Sequence, residues 1–315
     1  MIIAPFVDIG LALLVIGVAV WTSFTREAFS AVIGYVAYGL LLTLVWVRLY
    51  AVDAALTEAA VGSGMTGVLL IGAVIRLRPT QSLILREPLG LATKLLAGLL
   101  SGAVTIAIAA VVLNLPAPPP TLAPEAAASL HTTGLGNAVT GVLLAYRAWD
   151  TFLESFVLLL ALIGVWSLAQ DRYWGGAPRL AGPSVASGPL TFLAQVLPPF
   201  GIVVALHILW VGADAPGGKF QAGAILAAMW IIFMTARLAA PPSINQIWLR
   251  LALIVGPAAF LLIGIAGVGL ADGFLAYPEG KAKPLIIVIE CFMMLSVAAT
   301  LGMIVAGPPR TEALK

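Results

Sequence analysis

Residues 52–75 read VDAALTEAAVGSGMTGVLLIGAVI, and this stretch decides the class of the fold. About 20 apolar residues rising 1.5 Å each cross a hydrocarbon core of roughly 30 Å, so the segment is long enough to span a bilayer. Yet Asp53 and Glu58 occupy its first turns, followed by the small residues Gly62, Ser63, Gly64, Thr66 and Gly67. An Asp at the centre of a membrane helix costs on the order of 2.5–3.5 kcal/mol, so such a carboxylate faces protein or water. Small residues let a second backbone approach, or let the helix loosen locally. The stretch therefore reads as a buried, partly polar helix of a bundle that handles ions. The plainer alternative makes Asp53 an interfacial N-cap and the glycines packing residues.

The rest of the chain agrees with a membrane assignment. Of 315 residues, 61% are hydrophobic and 10% charged, against about 25% charged in a soluble domain, and the mean hydropathy is +1.08. A single cysteine, Cys291, and two histidines, His131 and His207, leave no disulfide framework, Cys-based metal site or His cluster. No phosphate-binding loop or nucleophile elbow is present, and a net charge of +2 gives no nucleic-acid footprint. Neither a cofactor nor a metal is expected. Residues 1–22 lack a basic leader region and a small-x-small cleavage site, so they read as a retained first helix.

Nine apolar spans follow along the chain, at about 2–22, 28–49, 53–76, 88–113, 148–170, 189–211, 219–240, 246–271 and 284–307. The expectation is an all-α integral membrane protein. Residues 115–124 (LPAPPPTLAP) form a proline-rich external segment, and residues 175–188, rich in Gly, Pro and Ser, read as a linker. With the N-terminus outside, ten basic residues (Arg26, Arg76, Arg78, Arg86, Arg172, Arg179, Arg237, Arg250, Arg310, Lys315) fall on one face and five (Arg48, Arg147, Lys219, Lys281, Lys283) on the other. The positive-inside rule makes the first face cytoplasmic, and an odd number of spans places the C-terminus there too.

Several polar groups sit where lipid penalises them. Glu290 lies about two turns into the last span, on a side chain too short to snorkel. Lys94 lies one to two turns into the fourth span and either snorkels or is buried. Arg147, Asp150 and Glu154 share one helical face by their three- and four-residue spacing, which reads as a structural ion-pair cluster. His207 ends the sixth span, as a satisfied polar group or a proton carrier. Pro216, Gly217 and Gly218 supply a tight turn at the membrane edge. Glu58, Asp53, Glu290, Lys94 and His207 are the ion-path candidates, with Gly62, Gly64 and Gly67 as packing positions. No pair of acids has the spacing of a metal site or of an acid/base couple, so an enzyme is not expected.

At these residues the chain resembles a known group. AVDAALTEAAVGSGMTGVLL is similar to the MbhD-like (DUF4040) helix of the C-terminal part of the large Mrp antiporter subunit, through Asp53, Ala55, Leu56, Thr57 and Glu58. NAVTGVLLAYRAWDTFLESFVLL resembles the MbhE-like module through Asn137, Arg147, Asp150, Thr151 and Glu154. GADAPGGKFQAGAIL resembles the G-H-N-A-P-G-G-G-F-I-G-G loop of the MrpB (MnhB) subunit, through Gly212, Ala215, Pro216, Gly217, Gly218, Phe220 and Gly223. Ala213, Asp214 and Lys219 depart from that loop's His, Asn and Gly, and Ala145 replaces an Asp of the second motif.

The resemblance implies three modules: 1–86 (MbhD-like), 87–174 (MbhE-like) and, after the linker at 175–188, 189–315 (MrpB/MnhB-like). It also implies a subunit of an Mrp-like cation/proton antiporter or complex-I-like assembly in a bacterial inner membrane. Its partners would be the lipid bilayer, other subunits of that kind including an antiporter-like one, and transported protons with sodium or potassium. A scaffold subunit, or the membrane arm of a redox-driven or inorganic-carbon-uptake complex, remains open. The departures leave the transported ion unassigned.

Overall fold

The computed structural model describes residues 3–84, 90–179 and 188–311; Arg86, Lys315, the side chain of Arg78 and residues 180–187 of the expected linker lie outside them. Among the described residues, eight helices are long and apolar enough to cross a membrane, and a ninth apolar helix of 17 residues accompanies them.

Helix α1 (Ile3–Phe24) and α2 (Ala28–Arg48) pack as a hairpin, closed at one end by the Asp8–Arg48 ion pair at 2.7 Å. The third span is α3 (Val52–Thr57), a widened π-helical stretch Glu58–Met65, and α4 (Thr66–Ile84) in unbroken succession. It packs on α2 through small residues. Helix α5 (Leu91–Leu113) has no buried residue.

The segment after α5 holds the short helix α6 (Ala123–Ser129) and ends at α7 (Ala138–Gly141), which widens into a second π-helical stretch, Val142–Tyr146, before α8 (Ala148–Trp166). Four helices complete the chain: α9 (Gly188–Val211), α10 (Lys219–Thr235), α11 (Ile247–Leu270) and α12 (Ala282–Ala306).

Helix α12 is the axis of the molecule. Apolar on all sides, it buries Ile286, Ile289, Met293, Val297 and Met303 among α8, α10 and α11, as a helix without a polar face must. Two close approaches make this possible. Gly223 of α10 leaves no room for a Cβ against Val297, and Gly256 of α11 faces the Met293 backbone. Beside it, the Ser296 hydroxyl accepts from the Gly256 N–H at 2.8 Å and donates to the Ala252 carbonyl at 2.9 Å. These are the groups that close a regular helical turn, so a side chain of α12 is inserted into the ladder of α11 just before Pro257.

Part of the expected linker is ordered as structure. Ala177–Pro178 pairs antiparallel with Pro309–Thr311, joining the segment before α9 to the segment after α12.

Candidate functional site

The site begins with the widening of the third span. Glycine and serine are weak helix formers, and across EAAVGSGM the chain takes the wider π turn, a feature that recurs at functional sites. The Thr66 hydroxyl reaches back to the Val61 carbonyl at 2.9 Å. Glu58 folds its carboxylate over Gly62, where a Cβ would collide with it, and the same carboxylate lies close to Gly39 of α2. Ser63 Oγ is buried beside Gly39, without a hydrogen-bond partner among the described residues.

A second π-helical stretch faces the first. The Arg147 N–H bonds the Val142 carbonyl, five residues back, at 2.8 Å. Carbonyls here take partners from elsewhere: Leu143 accepts from the Thr151 hydroxyl at 2.6 Å, and Leu144 from the Tyr277 hydroxyl at 2.8 Å. Tyr277 lies in the loop between α11 and α12. Burial, and secondly the charge of Glu290, push its phenol above the ordinary tyrosine range.

The third contributor is the turn between α9 and α10. Gly217 (φ 154°) and Gly218 (φ 137°) adopt backbone that L side chains resist. A Cβ on Gly218 would come within 2.9 Å of Glu290 Oε1. The missing side chain lets Glu290 of α12 reach the start of α10, where its Oε1 accepts from the Lys219 N–H at 3.4 Å. A carboxylate is favoured there by the unpaired N–H groups and by the helix dipole. Glu290 is 4% exposed, and among the described residues its other oxygen, Oε2, has no hydrogen-bond partner.

Asp53 ties these parts together. Its Oδ1 accepts from the Gly217 N–H at 2.9 Å, and Asn137 Nδ2 lies 3.4 Å from its Oδ2. Asn137 also donates to the carbonyls of Gly212 and Ala215, at 3.2 and 3.0 Å. Thr140 donates to Gly212 at 2.6 Å, and Gln221 to Thr57 at 3.0 Å. The residue before α3 that occupies the N-cap is Ala51, so Asp53 acts as a cross-link and not as a cap of its own helix.

Between these elements lies a cavity of about 610 Å³. Asp53, Glu58, Glu154, Lys219, Gln221 and Glu290 line it, with Gly62 from the first π-helical stretch and Leu143 and Leu144 from the second. Three ion-path candidates from the sequence, Asp53, Glu58 and Glu290, thus share one cavity. Lys94 and His207 stand on exposed positions of α5 and α9 and do not line it. The group Arg147, Asp150 and Glu154 divides: Arg147 and Asp150 form an exposed ion pair at 2.5 Å, while Glu154 lines the cavity. Asp214 is paired with Lys283 at 2.6 Å. Among the described residues no group of three acidic, His or Cys side chains converges to hold a metal ion.

Two residues of the site escape sequence reasoning. Lys219 reads as a loop base, yet it is 3% exposed; Gln221 carries no signal beyond its place after the turn. The clue to Lys219 is a lysine that follows two glycines and opens an apolar run.

Residues 13–79 match the MbhD family of MBH subunits, and residues 189–307 match a domain related to the MnhB subunit of the Na+/H+ antiporter. The uncharacterized protein MJ1307 of Methanocaldococcus jannaschii is 31% identical over 172 residues, which are 46% of this chain and 65% of that protein. Among solved structures, a chain in the Mrp complex of Dietzia sp. superposes on 95% of this chain with TM-score 0.72 and 23% identity. This chain spans 34% of that one. The membrane-bound sulfane sulfur reductase, an archaeal respiratory membrane complex, contains a chain with TM-score 0.57 and 22% identity. That match covers 68% of this chain and 97% of the other. At such identities the likeness is one of fold, that of a multi-pass, all-α membrane protein, and the two family matches give the chain an MbhD-like region and an MnhB-related region.

Proposed function

We propose that this chain, an MbhD module joined to an MnhB-related module, is a membrane subunit of an Mrp-like antiporter or a related respiratory assembly, and contributes a hydrated path for protons or cations. The observation that carries this reading is the cavity itself, where Asp53, Glu58, Glu154 and Glu290 meet Lys219 at the junction of the first span group, α8 and the last four helices. Carboxylates gathered in such a place favour cations and mark ion pathways. Their work is transport, without bond-making chemistry. Glu58 stands at the start of a π-helical stretch, with its carboxylate folded over Gly62 where the cavity begins.

Residues 87–174 serve as an MbhE-like module between the two. An antiporter-like subunit is the partner that drives or uses the ion movement. The N-terminus faces outward and the C-terminus the cytoplasm of a bacterial inner membrane, following the excess of Arg on the inner face. Replacing Glu58 by Gln in the assembled complex, with proton and sodium flux measured in sealed membrane vesicles, tests the reading. A large loss of flux with normal assembly supports it. Unchanged flux refutes the role of Glu58.

A scaffold function has its own support, because Asp53, Asn137 and the turn at 212–218 form a hydrogen-bonded knot that joins distant parts of the chain. Asp53 belongs to that knot, and Glu58 to the path.

A further inference from the structure

Lys219 is the feature of the cavity that an open cation path does not call for. It is the first residue of α10, it is 3% exposed, and it lines the same cavity as the carboxylates. Glu290 from α12 and Glu154 from α8 line that cavity with it. Lys219 forms no direct ion pair with either among the described residues, and its ammonium lies 5.1 Å from the centre of the Phe220 ring. Glu58 and Asp53 complete the acidic lining. The buried Glu290 Oε2, without a hydrogen-bond partner, is the kind of oxygen that a cation or a water molecule would satisfy.

We infer that Lys219 is a built-in cation that sets the selectivity of the cavity: standing in the space that Glu154 and Glu290 also line, its side chain excludes a free alkali-metal ion and leaves the space to water and protons. The inference rests on the cavity being an ion path. The physical reason is simple. A sodium ion needs several oxygen ligands that are not shared with another positive charge. A lysine anchored by the backbone at the α10 start cannot diffuse away, so its charge competes at a very high effective concentration. The ammonium repels any entering metal ion at short range in a medium less polarisable than water. Protons, relayed along water and carboxylates, need no empty coordination site.

The test is equilibrium binding of sodium-22 to the detergent-solubilised complex that contains the full chain. The Lys219→Met variant is expected to bind one more sodium ion per chain than the wild type, and the gain is expected to disappear in Lys219→Met/Glu290→Gln. Lys219→Arg, which keeps a tethered cation, is expected to show no gain. A merely structural lysine would not produce a new binding site when removed. No additional sodium in an intact Lys219→Met complex overturns the inference. Should that variant fail to assemble, Glu154→Gln decides in the Lys219 background: unchanged sodium binding supports the inference, and a loss of one ion per chain overturns it. Binding is read without flux, so an outcome here is separable from that of Glu58→Gln in vesicles.

Discussion

Asp53 Oδ1 accepts a hydrogen bond from the Gly217 N–H at 2.9 Å across 164 positions of sequence. One carboxylate in the MbhD module thereby fixes the turn that opens α10 in the MnhB-related module. Asn137, at the start of α7, completes the junction by binding both the carboxylate and the turn.

Removing that carboxylate should loosen the junction. A hydrogen bond to a charged group contributes about 1.5–3 kcal/mol, and Asp53→Ala is expected to lower the unfolding temperature of the solubilised assembly accordingly. Asp53→Asn keeps an acceptor, and should retain most of the stability and the flux per assembled complex. Flux abolished by Asn, with stability unchanged, would make Asp53 a transport group.

Gly218→Ala should be harmful for two separate reasons. The φ of 137° is unfavourable for alanine, and the new Cβ would stand 2.9 Å from Glu290 Oε1. Backbone strain of this kind costs about 1–3 kcal/mol. The expected result is reduced assembly on a native gel, partly restored by Glu290→Ala, which vacates the space. No restoration would leave strain alone as the cause.

Tyr277 supplies a pH-dependent term. Its phenol is raised in the fold, while an exposed tyrosine titrates near 10. Above that value the unfolded chain loses the proton first and the folded chain keeps it. The stability from the hydrogen bond to Leu144 is therefore complete below about pH 10 and declines as the pH rises toward the folded value. Tyr277→Phe should cost about 1 kcal/mol at neutral pH and flatten that alkaline decline in unfolding measurements. An identical decline in the variant would assign it to other groups.

Ser296→Ala should leave the Gly256 N–H and the Ala252 carbonyl without their shared partner. Unsatisfied buried groups cost about 1–3 kcal/mol, and amide exchange at Gly256 should rise with the loss of stability. Exchange that stays as slow as in the wild type would show that α11 can close its own turn.

The fold is legible in the sequence because hydropathy in a membrane chain is a strong signal. The nine spans correspond to eight long helices and the shorter α10. Glu58 and Glu290 are conspicuous because a carboxylate within an apolar run is expensive. Lys219 is not, since a lysine beside Pro and two glycines looks like an ordinary loop base; its place is set by the tertiary fold, in which Glu290 of α12 accepts from the Lys219 backbone N–H across 71 positions. For Glu154 the helical spacing suggests a common cluster with Arg147 and Asp150. Arg147 is the non-helical residue before α8 (φ −123°, ψ 37°) and pairs with Asp150 in the open, while Glu154, a turn further along α8, borders the cavity. Helical spacing does not reveal that Arg147 lies outside the helix.

The short ladder between Ala177–Pro178 and Pro309–Thr311 brings the two ends of the last helical group side by side. A unit whose entrance and exit meet can be spliced into a longer polypeptide, or cut free from one, without pulling its helices apart. The ladder thus works as a clasp between the stretch that leads into α9 and the stretch that leaves α12.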